Sequence, residues 1–104
     1  MKLINLTPHD IKIGDLVIYA SGEIARCNAA TLDAGEIQGI PLVETQVMGV
    51  SGVPQPKSGY AYIVPSVVRQ QFPDRQDLLS PSKFIRDTRG TITGCLSLER
   101  NPSK

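Results

Sequence analysis

Nine glycines and eight prolines cut this chain of 104 residues into short alternating runs, a punctuation that favours strands and tight turns over long helices. The opening shows the pattern. Ile4 and Leu6 fall on one face, Thr7-Pro8-His9-Asp10 supplies turn chemistry, and Ile11 and Ile13 alternate around Lys12. Gly14-Asp15 makes a second turn, Leu16-Val17-Ile18-Tyr19 a further short strand, and Ser21-Gly22 closes it. Connections this short return a chain antiparallel, so the N-terminal segment reads as a meander.

Further along, residues 28–39 have weak periodicity and two glycines, which reads as an irregular loop with at most one helical turn. Alternation resumes over residues 40–50, with Val43, Thr45 and Val47 on one side and Leu42, Glu44 and Gln46 on the other. Two prolines and two glycines make residues 51–59 a loop, either a plain connection or a ligand cover. Tyr60-Ala61-Tyr62-Ile63-Val64 is a strand with both tyrosines on one face. Pro65 then starts a short helix over residues 66–72, with Ser66 as its cap, Val68 and Phe72 stacked one turn apart and Pro73 as its stop. Asp87-Thr88-Arg89-Gly90 is a hairpin turn between Phe84-Ile85-Arg86 and a return strand from Thr91 to Leu98, with Gly90 at the left-handed position.

These segments amount to an α+β fold: a single small domain over residues 1–104, dominated by short antiparallel β-strands, with one short helix near residues 66–72 and a frayed tail at 100–104. Its core is expected from Ile4, Leu6, Ile11, Ile13, Leu16, Ile18, Val43, Val47, Ile63, Val68, Phe72, Ile92 and Leu96. So thin a core, with unpaired strand edges beside it, predicts a homo-oligomer.

Eleven lysines and arginines against ten acids give a net charge of +1, which removes the bulk electrostatic reason to bind duplex nucleic acid or an anionic membrane. The distribution is uneven: residues 1–56 carry three basic and six acidic groups, and residues 57–104 carry eight and four. No apolar run is long enough to span a bilayer, and Pro8 breaks the opening too early for a signal-peptide core, so the expected compartment is cytoplasmic. Cys27 and Cys95 stand far apart with a single histidine in the chain, a poor basis for a zinc site, and a reducing compartment keeps both thiols free. No metal and no cofactor is expected. The nucleophile elbow is absent, since Gly49-Val50-Ser51-Gly52 has the wrong spacing, and no glycine-rich phosphate loop occurs.

Two constellations remain. His9 beside Asp10 is the only pairing suited to proton transfer near neutral pH, although Thr-Pro-His-Asp reads equally as a rigid turn whose Thr7 and Asp10 bond local backbone. Arg69, Arg75, Arg86 and Arg89 lie within a short stretch broken by turns. Arginine offers a planar fork for phosphate, and Tyr60 and Tyr62 offer stacking faces for a base; alternatively the arginines are solvated turn charges and the tyrosines ordinary strand residues.

Asn5-Leu6-Thr7-Pro8-His9, Tyr62-Ile63-Val64 and Arg86-Asp87-Thr88-Arg89-Gly90-Thr91-Ile92-Thr93-Gly94-Cys95 resemble segments of a group of small uncharacterised phage and prophage proteins. That group opens with Leu-Thr-Pro-His and closes with Arg-Asp-x-x-Gly-x-Ile-x-Gly. The resemblance implies a phage accessory context, in which small proteins often act as inhibitors or sponges of host defence. Sponges of cyclic nucleotide signals are typically non-catalytic homo-oligomers. The resulting expectation is a non-enzymatic binding protein that sequesters a small anionic ligand such as a cyclic nucleotide. Its expected ligand contacts are Thr7, His9, Tyr62, Arg69, Arg75, Arg86 and Asp87. A protein-interaction accessory is the second reading, and a hydrolase using His9 the third.

Overall fold

In a computed structural model that describes residues 1–103, strands dominate and a single short helix interrupts them. The order is β1 (Lys2–Asn5), β2 (Ile11–Ile13), β3 (Leu16–Ile18), β4 (Arg26–Ile37), β5 (Ile40–Ser51), β6 (Tyr60–Ile63), α1 (Ser66–Gln70), β7 (Leu78–Arg86) and β8 (Ile92–Arg100). Six strands form one sheet in the order β1-β6-β7-β8-β2-β3, and β4 and β5 form a separate two-stranded sheet.

The six-stranded sheet is mixed: β1–β6, β6–β7 and β2–β8 are parallel, whereas β7–β8 and β2–β3 are antiparallel. The expected meander is therefore corrected at its first connection, because β1 pairs with β6 and not with β2. Asn5 supplies the physical reason. Its buried side chain donates to the carbonyls of His9 (2.8 Å) and Ile18 (3.0 Å) and accepts from the Thr7 amide (3.0 Å) and hydroxyl (2.6 Å). The chain is thus carried over the end of the sheet as a braced loop and not reversed as a hairpin. The outer strands also approach one another: the Ser21 amide donates to the Asn5 carbonyl at 3.0 Å, and Asn5 and Ala20 form a parallel bridge. The sheet curls towards closure at the Asn5 end of β1, where this bridge occupies part of the edge that the sequence left open.

Two apolar clusters result. Leu6, Ala25, Tyr62, Val64, Val68 and Leu78 pack between sheet, helix and the base of the arm, while Ile11, Ile63 and Cys95 pack with Ile13, Ile18 and Leu98. Of the expected core, Leu6, Ile11, Ile63 and Val68 are buried, but Leu16, Val43, Val47, Ile92 and Leu96 are 41–65% exposed. Periodicity marks which side chains share a face, and only packing decides whether that face is covered.

The largest correction concerns residues 28–39. Residues 28–37 are strand, not loop: β4 pairs with β5 from Arg26↔Ser51 to Ile37↔Ile40, and a register shift between Asp33 and Glu36 absorbs Gly35 as a bulge. Gln38 and Gly39, both at positive φ (52° and 78°), close the hairpin in two residues. This arm projects from the body, and the radius of gyration is 16.5 Å against about 13 Å for a compact domain of this size.

Two smaller corrections follow. The helix runs only Ser66–Gln70, and Pro65, not Ser66, holds its N-cap position without any side-chain cap bond. The tail is not frayed at 100–101: Arg100 ends β8, and Asn101 is 3% exposed. Gly90 does sit at positive φ (83°) in the β7–β8 turn, as the sequence requires.

Candidate functional site

A groove of about 780 Å³ opens between three elements: the Thr7–Lys12 segment, the Pro65–Ser66 helix start and the β7–β8 hairpin. Its first wall is stiff. Asn5 grips Thr7 from inside, the Thr7 hydroxyl also bonds the His9 carbonyl at 3.0 Å, and Pro8 restricts the peptide between them. Thr7, Pro8, His9, Asp10 and Lys12 all line this side.

The opposite wall comes from alternation along β7, which directs Phe84 and Arg86 into the groove across from Thr91–Cys95. Asp87 shapes that wall without lining the groove: its carboxylate accepts from the amides of Arg89 (2.8 Å) and Thr91 (3.0 Å) and so sets the turn. The Arg86 guanidinium donates once within the hairpin, to the Gly90 carbonyl at 2.8 Å. One bond of its five-donor capacity is used, which fixes its direction and leaves the rest for a ligand.

Thr7, His9 and Arg86 of the expected contacts are therefore brought together. The single concavity anticipated for Arg69, Arg75 and Arg86 with a tyrosine does not form. Tyr62 is 5% exposed in the first cluster, parallel to Tyr60 with ring centroids 6.4 Å apart. Arg69 is buried, donating to Ser80 Oγ (2.9 Å) and Asn101 Oδ1 (2.8 Å) and lying 3.5 Å from the Glu99 carboxylate. Arg75 grips Asp77 through two bonds (3.0 and 2.6 Å) and donates to the Pro54 carbonyl at 2.8 Å. Its hydrogen bonds and charge hold the Asp77 carboxyl below the usual range against the opposing effect of burial. These arginines brace loops and tail.

Lys12 and Phe84 line the groove and were not singled out by the sequence. Their signal is local alternation: Phe84 lies two residues before Arg86, and Lys12 lies in the strand that follows the Thr-Pro-His-Asp turn. Beside His9 the Asp10 carboxylate is engaged by the backbone, its Oδ1 accepting from the Ala20 amide at 2.8 Å. Among the described residues no three His, Cys, Asp or Glu side chains gather as metal ligands, and no helix is long and apolar enough to cross a membrane.

No family model, curated protein or solved structure matches this chain. Its own geometry supplies a different relation: the Leu6-Thr7-Pro8-His9 segment and the Arg86-to-Cys95 segment, remote in sequence, contribute facing walls of one groove.

Proposed function

We propose that this protein sequesters a small anionic ligand with an apolar or aromatic portion, such as a nucleotide or cyclic nucleotide, in the groove between Thr7–Lys12 and the β7–β8 hairpin. The observation that carries this reading is the placement of Arg86, Lys12 and His9, with Asp10 as the acid among them, around a lining that is otherwise largely apolar, with Phe84 51% exposed. A phosphate takes charge-assisted bonds from Arg86 and Lys12, and a base stacks on Phe84 or lies against Pro8, Pro65 and Pro81. Binding of this kind needs no catalytic group and no cofactor, which suits a passive sponge acting in the cytoplasm. The convergence of the two phage-like segments on the groove supports a phage anti-defence context.

Native mass spectrometry and calorimetry against a panel of mono-, di- and cyclic nucleotides test the proposal. A stoichiometric complex at tens of micromolar or tighter, whose ligand is recovered chemically unchanged after denaturation, is the expected result. Absence of binding across the panel overturns it, and recovery of a cleaved product that His9→Ala abolishes would replace it with a hydrolase. The protein-interaction reading rests on a separate observation, the exposed apolar arm.

A further inference from the structure

The β4–β5 arm is a sheet of two strands, each twelve residues long, and most of its surface is exposed. A two-stranded ribbon in water is marginal, because neither face gains from burial. Yet this one displays Leu32, Ile37, Ile40, Val43, Val47 and Met48 at 41–65% exposure. The β7–β8 hairpin behaves alike: Ile85 (40%) and Leu96 (65%) are exposed and line no part of the groove. An apolar pattern strong enough to mark Val43, Val47 and Leu96 as core, in residues the single chain leaves bare, is the signature of a surface covered by another molecule.

Charge identifies the cover. Residues 28–50 contain Asp33, Glu36 and Glu44 and no lysine or arginine. The β7–β8 hairpin carries Lys83, Arg86, Arg89 and Arg100 against Asp87 and Glu99, a basic excess that lies towards its turn. Two arms laid on each other would set three acids against three acids, whereas an arm laid on a hairpin sets acids against bases and apolar face against apolar face. We propose that the arm of one copy packs along the β7–β8 hairpin of a second copy, reciprocally about a two-fold axis. The outer hairpin face, Ile85 and Leu96, receives the apolar residues Val43 and Val47, and Lys83 and Arg89 receive Asp33 and Glu36, which the ladder sets opposite Val43 and Pro41 on that same arm face.

The size suffices. A nine-residue hairpin is about 30 Å long and about 10 Å wide, so each contact covers about 300 Å² a side. Two reciprocal contacts bury about 1,200 Å² in total, the lower bound for a stable interface. The arrangement also relieves the marginal ribbon, since each arm gains a covered face.

Sedimentation velocity of the full chain between 1 and 100 micromolar is the test. Wild type sediments as a dimer of the 11.3 kDa chain in the upper part of that range. Val43→Glu and Leu96→Glu, both at positions 65% exposed, each weaken the dimer at least tenfold while far-ultraviolet dichroism is unchanged. A charge-reversed arm (Asp33→Lys, Glu36→Lys) and a charge-reversed hairpin (Lys83→Glu, Arg89→Glu) are each weakened alone and recover the dimer when mixed, which keeps the test decisive if a glutamate variant misfolds. A wild type that stays monomeric at 100 micromolar overturns the proposal. So does a hairpin variant that dimerises as wild type, because the arm must then face something other than the hairpin.

Discussion

Arg69 and Asn101, 32 residues apart, bond each other in both directions: the guanidinium donates to Asn101 Oδ1 at 2.8 Å, and Asn101 Nδ2 donates to the Arg69 carbonyl at 3.2 Å. The same amide group reaches the carbonyls of Phe72 (2.8 Å) and Arg75 (2.9 Å), so one tail residue ties down the whole segment that follows α1. Asn101→Ala leaves a buried guanidinium N–H and several carbonyls without partners and should cost about 2–4 kcal/mol. Urea denaturation of the variant, and of a chain ended at Arg100, checks this; an unchanged midpoint would restore the frayed-tail reading.

Asp77 should make stability pH-dependent at the acid end. Its folded-state carboxyl is held below the unfolded value by hydrogen bonds from Arg75, so its contribution is complete above about pH 4–5, where the unfolded carboxyl has ionised, and is lost as pH falls further. Asp77→Asn should cost about 1–2 kcal/mol at pH 7, and the difference from wild type should shrink as both are unfolded at progressively lower pH. A difference that stays constant from pH 7 to pH 3 would show that the pair contributes nothing through charge.

Two glycines with nearly equal φ should respond unequally. Gly90 (φ 83°) has open space where a Cβ would stand, so Gly90→Ala meets only the left-handed backbone penalty, about 1 kcal/mol. Gly52 (φ 81°) lies against the Ile24 carbonyl, which a Cβ would overlap, so Gly52→Ala should cost about 3 kcal/mol or more. Parallel melts of the two variants decide it, and equal losses would place the Gly52 loop away from Ile24.

Binding and stability should separate between arginines. Arg86→Ala is expected to weaken nucleotide binding by about 1.5–3 kcal/mol with little change in melting, because its guanidinium reaches one carbonyl in an exposed turn. Arg75→Ala should do the reverse, lowering stability through the lost Asp77 and Pro54 contacts and leaving affinity near wild type. Calorimetry with the tightest-binding nucleotide, run beside thermal melts, reads both. Equal affinity loss in the two variants would mean that the groove is not where the ligand sits.

What could be determined from the sequence alone was whatever depends on neighbours in the chain. Gly and Pro spacing excluded long helices, Asp87-Thr88-Arg89-Gly90 fixed a hairpin through its own carboxylate and its glycine, and Tyr60–Ile63 was legible from β-rich alternation. Tertiary structure decided everything that depends on which strand lies beside which. Parallel pairing of β1 with β6 leaves no local mark, because its partner arrives from far along the chain. The burial of Arg69 was hidden because Ser80 and Asn101 become its partners only when the sheet forms. Residues 40–50 were legible as a strand, but their partner β4 escaped because small residues and Gly35 blur its alternation, and the ladder with β5, not local preference, holds it extended. The groove has the same origin: its walls come from opposite ends of the sequence, and only the β2–β8 pairing, through Ile13 and Cys95, sets them side by side.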